Sequence, residues 1–345
     1  MSTYMIETKN RLPEGYTARP MIWEDAPAAV ALFNANSQHC IGVDQDSLDG
    51  MTAEWNIPTF NMESDSQVVL AADGRLVAYV DFWDYHSAHV NLNSYGCVHP
   101  DEYGKGIGSY LLEWLDQRAR SNIPLAEKDA QIYLYQFQYA QNKPAADLLC
   151  SHGFRHIRSS LQMRIQFQQQ PEQPVIPAGV TIRNYDHATE SARVIQTMQE
   201  SFRDHWGYVD QPLEEYIELT RHHLESSPYF DPSLNFAAFI EGRPVGLCLC
   251  LPRIDEDPNM AWVNILGVMR PWRRQGIALA LLRYSFNEFY NRGIPSAGLT
   301  VDADSLTNAT KLYEGAGMSL LREYHRYEKI VRSGRDIRTQ EVIEE

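Results

Sequence analysis

Val263-Asn264-Ile265-Leu266-Gly267-Val268, followed by Arg273-Arg274-Gln275-Gly276-Ile277-Ala278, is the stretch whose reading decides the fold. The first segment is apolar and rich in β-branched residues, and reads as a strand. From Leu279 to Asn291, apolar residues recur at helical spacing (Leu281, Leu282, Phe286, Phe289), with Gly293 placed to end the helix. The hexapeptide between them is a strand-to-helix turn. The first amides of a helix lack intrahelical partners and lie at the positive end of its macrodipole, so small residues there let N–H groups close on a pyrophosphate. Arg270, Arg273 and Arg274 add positive charge at the same place. Taken alone, Gly276 is equally a plain tight turn beside solvated arginines. The turn lacks the Gly-x-x-x-x-Gly-Lys-Ser/Thr of a P-loop, and it does not open its domain as a Rossmann fingerprint does.

The turn recurs. Tyr103-Gly104-Lys105-Gly106-Ile107-Gly108 follows Val98 as the hexapeptide follows Val268, and other pairs keep the same order. Gly15-Tyr16-Thr17-Ala18-Arg19 matches Gly179-Val180-Thr181-Ile182-Arg183. Asp73-Gly74-Arg75 matches Glu241-Gly242-Arg243, each between two strand-like runs, and Gly153-Phe154 matches Gly317-Met318. An ordered series of this kind is the mark of a tandem duplication. Each copy reads as strand, helices, hairpin, strand, helix, strand, helix, strand, so the fold class expected is α/β with a mixed sheet, repeated twice. The expected limits are 15–168 for the first domain, a Gln/Pro-rich exposed linker at 169–177, 178–332 for the second domain, and a polar tail at 333–345.

Composition narrows the function. The chain has 345 residues, 44% apolar and 22% charged, enough for two cores and unlike a disordered segment. Its net charge of −15 repels phosphate backbones, so no nucleic-acid partner is expected. The five cysteines, Cys40, Cys97, Cys150, Cys248 and Cys250, lack the spacing of a zinc site, and no metal is expected. Without a leader-like start or an apolar run near the ~20 residues of a membrane helix, no membrane association and a cytoplasmic location are expected. The oligomeric state is not readable.

The hexapeptide at 273–278 resembles the Arg/Gln-x-x-Gly-x-Gly/Ala signature of the GCN5-related N-acetyltransferase (GNAT) superfamily. Asn308, then Leu312-Tyr313-Glu314 and Gly317-Met318, resembles that superfamily's next motif. The whole is similar to two-domain acetyltransferases of the superfamily, two GNAT-like acyl-CoA N-acyltransferase domains in tandem. The resemblance implies attack of an amine on the thioester of acetyl-CoA as cosubstrate. It places the pyrophosphate on the amides of Arg273, Arg274, Gln275, Gly276, Ile277 and Ala278, and the pantetheine arm beside Leu266, Gly267 and Val268, where a backbone N–H polarises the acetyl carbonyl. By the same resemblance Asn308 is expected to contact the pantetheine or to cap its helix. The resemblance makes Tyr313 the expected catalytic residue, the donor that would protonate the departing thiolate.

At the strand position where some members keep a glutamate this chain has Trp262, which leaves the general base open; Asp302 and Asp304 are candidates, each equally a turn residue. Phe202, His205 and Trp206 lie where the superfamily's acceptor segment falls, and with Asp302 form the candidate pocket for a small-molecule amine. In the first copy Tyr103 replaces the Arg/Gln, and Leu149 stands where the second copy has Tyr313. That domain is therefore expected to be catalytically silent, with Val98, Gly104, Lys105, Gly106, Ile107 and Gly108 as a weaker cofactor site. Two alternatives stay open: a non-catalytic acyl-CoA-binding or sensing protein, and an acetyltransferase acting on a protein N-terminus.

Overall fold

The structure is a computed structural model that describes residues 11–304 and 309–340. The chain forms two compact units: unit 1 runs to Arg158 and takes back Tyr324–Ile337, and unit 2 holds Ser159–Glu323 and the chain from Arg338.

Unit 1 contains β1 (Thr17–Arg19), α1 (Ala26–Ile41), α2 (Leu48–Trp55), α3 (Met62–Asp65), β2 (Ser66–Leu70), β3 (Leu76–Asp81), β4 (Asn91–Ser94), β5 (Gly96–Val98), α4 (Ile107–Ser121), β6 (Ile132–Tyr139), α5 (Lys143–Ser151) and the start of β7 (Arg155–Gln166). Strands β1, β2, β3 and β5 form an antiparallel sheet in that order. At Tyr95 the chain changes partners, because β4 pairs in parallel with β6 while β5 pairs with β3. The buried carboxylate of Asp81 accepts the Tyr95 N–H at 2.6 Å, so the amide released by this break is satisfied.

Unit 2 contains β8 (Thr181–Asn184), α6 (His187–Phe202), α7 (Leu213–Ser226), β9 (Asn235–Ile240), β10 (Arg243–Leu251), β11 (Met260–Val268), α8 (Ile277–Asn291), β12 (Ser296–Asp302), α9 (Ala309–Gly315) and the start of β13 (Ser319–Arg332). Its hairpin turns at Glu241-Gly242, both with positive φ. Side chains alternate across β10 as a strand buried on both faces requires. Cys248 and Cys250 join the core with Leu281, Phe286 and Phe289 of α8, while Leu247 and Leu249 pack with Val194 of α6 and Leu224 of α7.

The units do not follow the sequence repeats. The last strand of the first repeat, β7, pairs with β12 of unit 2 from Ser160 to Gln166, and the last strand of the second, β13, pairs with β6 of unit 1 from Tyr324 to Arg332. The limits expected at 168 and 178 follow the repeats, whereas the compact units divide at 158/159, 323/324 and 337/338. The two strands have 12 and 14 residues, against a usual length of about 5–6, so one continuous segment serves both units. The linker at 169–177 has neither helix nor strand but lies along α8: Asn287 Nδ2 donates to the Glu172 carbonyl at 3.0 Å, and Glu172 pairs with Arg283. The expected tail is tied down as far as Thr339, whose N–H donates to the Tyr208 carbonyl at 2.8 Å and whose carbonyl accepts from Gly207 N–H at 2.8 Å.

Candidate active site

In both repeats the glycine turn has one backbone design. Gly106 caps α4 with φ 84° and ψ −3°, and Gly276 caps α8 with φ 84° and ψ −1°; neither helix start receives a side-chain cap. Two residues earlier, Gly104 has φ 78° and Arg274 has φ 62°, so left-handed residues occupy the same two places. Alternating hand makes successive N–H groups converge on one concavity, the geometry of an anion nest. An arginine in this conformation costs about 1–2 kcal/mol, a strain concentrated at functional turns. The side chain of Ile277 is buried and anchors the turn, while Arg274, Gln275 and Gly276 face outward. A cleft of about 240 Å³ lies at this helix start, lined by Gln275, Gly276, Leu279, Ala280, Arg283 and the linker residues Val175 and Pro177.

Arg273 turns inward. Its Nε donates to the Val268 carbonyl at 3.0 Å, one Nη donates to the Ser201 carbonyl at 2.9 Å, and the guanidinium forms a two-pronged pair with Asp204. The side chain ties the end of β11 to the end of α6 and is not free for a phosphate, and its amide is engaged as well, donating to the Arg270 carbonyl at 3.2 Å. Tyr103, in the same repeat position, makes the same tie by other chemistry, donating its hydroxyl to Asn36 Oδ1 of α1 at 3.1 Å. Lys105 is likewise engaged, its Nζ 2.6 Å from Glu102.

Strand β11 carries Leu266, Gly267 and Val268 to an open edge. It pairs with β12 only from Met260 to Trp262, and against β10 the register skips Asn264, a β-bulge. Trp262 is the last paired residue, and its indole covers Gly298 of β12 so closely that a Cβ there would lie 2.5 Å from the ring. Among the described residues no strand pairs with this edge beyond Trp262, a geometry that suits an extended ligand added as a strand. On the other face, Ser201 Cβ and Phe202 Cε2 come within 3.0 Å of where a Gly267 Cβ would stand, so the end of α6 presses on this glycine.

Tyr313 sits in α9, 8% exposed, and burial pushes its phenol well above the usual tyrosine range, with the Cys248 side chain acting in the same direction. It therefore stays protonated as a donor. Leu149 occupies the same place in α5: Phe154 N–H donates to the Leu149 carbonyl at 3.0 Å as Met318 N–H donates to that of Tyr313 at 3.0 Å. Asn308 lies outside the described residues.

The four pocket residues expected in unit 2 are only partly united. Phe202 and His205 meet edge to face at 4.5 Å, and burial lowers the His205 pKa. Trp206 packs under the Arg338 guanidinium at 5.2 Å. Asp302, at the end of β12, accepts the Asp304 N–H at 2.9 Å, the turn role that sequence left open. In unit 1, Val98, Gly104, Gly106, Ile107, Gly108 and Leu149 all line one cavity of about 400 Å³, with Tyr79, Gln136 and Asn142 among its other walls. Sequence reasoning missed Asp204 as the partner of Arg273, and missed Arg338 and Thr339; their signal is only in the tertiary contacts.

Two α/β repeats, each with a nest-bearing helix start beside a parted strand, are the architecture of a tandem acyltransferase. The Acetyltransferase (GNAT) family model matches residues 194–318 and the Acetyltransferase (GNAT) domain model residues 64–156. A GCN5-related N-acetyltransferase from Sphaerobacter thermophilus is 31% identical with a TM-score of 0.80, over 94% of this chain and 99% of that one. The chain belongs to the GCN5-related N-acetyltransferase family, acetyl-CoA-dependent enzymes that use acetyl-CoA as cosubstrate. Mycothiol acetyltransferase from Thermomonospora curvata is 28% identical over 223 residues, 64% of this chain and 68% of the relative. That from Streptomyces griseus is 24% identical, over 73% and 76%. A tandem GNAT protein from the clavulanic acid biosynthesis pathway, 14% identical with a TM-score of 0.66 over 93% of this chain and 100% of that one, shares the fold. Among the described residues no helix is long and apolar enough to cross a membrane, and no group of three His, Cys, Asp or Glu side chains is placed to hold a metal ion.

Proposed function

We propose that the second repeat transfers the acetyl group of acetyl-CoA to the amine of a small molecule. The observation that carries this reading is the pair Tyr313 and Leu149: the same helical position holds a buried, protonated phenol in one repeat and a hydrocarbon in the other. The nest at Arg274–Ala278 holds the pyrophosphate, the open edge at Leu266–Val268 takes the pantetheine arm, and a β11 amide polarises the thioester carbonyl. The amine nitrogen bonds to the carbonyl carbon, the C–S bond breaks, and Tyr313 gives the sulfur its proton. Asn308 belongs to this site by its motif. The match to relatives named mycothiol acetyltransferase supports a small-molecule acceptor.

For unit 1 the 400 Å³ cavity favours a second reading: it holds acyl-CoA without turning it over, because a leucine replaces the proton donor. The test is release of free CoA thiol from acetyl-CoA across amino sugars, polyamines, amino acids and a peptide with a free N-terminus, using the native chain, Tyr313→Phe and Leu149→Ala. Activity lost in Tyr313→Phe and kept in Leu149→Ala supports the reading, and the reverse assigns catalysis to unit 1. Turnover confined to the peptide moves the acceptor to a protein N-terminus.

A further inference from the structure

We propose that His205 is the general base of the second repeat, taking the place of the strand glutamate that Trp262 has displaced. The inference rests on catalysis in that repeat. Trp262 is committed to packing over Gly298 and carries no basic atom. A proton acceptor must therefore reach the thioester end of β11 from another element. The end of α6 and the turn after it lie beside this strand: Ser201 and Phe202 stand 3.0 Å from where a Cβ on Gly267 would be, and the His205 imidazole packs edge to face on the Phe202 ring with centroids 4.5 Å apart.

The segment is held from three directions. Arg273 joins Asp204 and the Ser201 carbonyl to the Val268 carbonyl, the backbone of Gly207 and Tyr208 is paired with Thr339, and Arg338 lies over Trp206. His205 itself closes the turn, its N–H donating to the Phe202 carbonyl at 2.9 Å and its carbonyl accepting from Tyr208 N–H at 3.1 Å. The backbone that carries the ring is fixed in this way, the ring itself rests on Phe202, and among the described residues it makes no side-chain hydrogen bond. The charged groups that face it are Asp204 beside it, Arg273 from the turn before α8, and Asp302 from the end of β12. Burial keeps the ring neutral at physiological pH, Arg273 assists, and the two carboxylates oppose.

The neutral imidazole takes one proton from the substrate ammonium. The freed lone pair then bonds to the thioester carbonyl carbon. As the C–S bond breaks, the sulfur takes the Tyr313 proton, the nitrogen loses its second proton to restore the phenol, and His205 returns its own to solvent. One proton is released per acetyl transferred.

The test uses the full chain with acetyl-CoA, with glucosamine and with water as acceptors, measuring thiol release from pH 5 to 9. For His205→Gln, kcat at pH 7 is expected to fall about 10²–10⁴-fold, with the Kd for acetyl-CoA within twofold of native by calorimetry. The ascending limb of kcat, which in the native chain inflects below the usual histidine value of about 6.5, is expected to vanish. A merely structural histidine would instead change the acetyl-CoA Kd or the melting temperature and leave that limb in place. Should His205→Gln keep both rate and limb while Tyr313→Phe is inert, the base is another group and the inference fails alone. Should both variants be fully active while Gly106→Val is inert, or should the native chain release no more thiol than buffer, the reading of the second repeat fails and this inference with it.

Discussion

Replacing Arg273 by methionine separates a phosphate ligand from an internal tie. The guanidinium makes four hydrogen bonds within unit 2, two to the Val268 and Ser201 carbonyls and two to Asp204, with side-chain exposures of 20% for Arg273 and 11% for Asp204. Breaking a fully buried ion pair by removing one partner costs about 3–5 kcal/mol. Partial exposure reduces this to about 2–4 kcal/mol, most of it from the carboxylate of Asp204 left without its partner. In a unit of this size that lowers the melting temperature by roughly 5–15 °C. Asp204→Asn added to Arg273→Met is expected to recover about half the loss, because no buried charge then remains. Tyr103→Phe, which removes a single hydroxyl bond in unit 1, is expected to cost only about 1 kcal/mol.

The pH dependence follows from the same pair. Burial raises the Asp204 pKa, but the hydrogen bond and charge of Arg273 outweigh it, so the net shift is downward. The pair's contribution is then fully present above the unfolded aspartate value of about 3.9 and is lost as pH falls through the lower folded value. Differential scanning calorimetry from pH 3 to 8 and titration calorimetry with acetyl-CoA measure both effects. An unchanged melting temperature with a loss of acetyl-CoA affinity above 30-fold would show that the guanidinium binds phosphate, and the reasoning would be wrong.

Tyr313→Phe is expected to lower kcat at pH 7 by about 10²–10⁴-fold with the KM for acetyl-CoA within twofold, read by thiol release. Gly276→Val forces a branched side chain into a φ of 84° and is expected to weaken acetyl-CoA binding at least tenfold by calorimetry, whereas Gly106→Val removes only the binding stoichiometry that belongs to unit 1. Gly298→Ala drives a methyl into the Trp262 indole and is expected to destabilise unit 2 by about 1–3 kcal/mol in urea unfolding, relieved by Trp262→Leu. Ending the chain after Ile337 removes Arg338 and Thr339 from the acceptor segment; acceptor KM is expected to rise severalfold while acetyl-CoA affinity is kept.

The duplication, the α/β class, both hairpins and both glycine turns were legible in the sequence because each rests on local physics. A helix start needs free amides, a left-handed cap needs glycine, and a strand buried on both faces reads as an apolar run. The place of Tyr313 in its helix, though not its proposed role, was legible for a related reason: its spacing to Gly317 is set within one helix and its terminating turn. What tertiary structure alone decided depends on partners far away in the chain. Arg273 reads as a basic residue at an anion site, and only its contact with Asp204 turns the guanidinium inward. Lys105 is diverted in the same way by Glu102. The long strands β7 and β13 are evident as strands, but a period of two does not say which edge a strand joins, so their exchange between units was beyond the pattern. The same holds for the last residues, whose polarity reads as a tail until Thr339 is seen pairing with the segment that carries His205. Local sequence determines which elements form, whereas the pairing of edges and charges distant in sequence is selected by the folded chain as a whole.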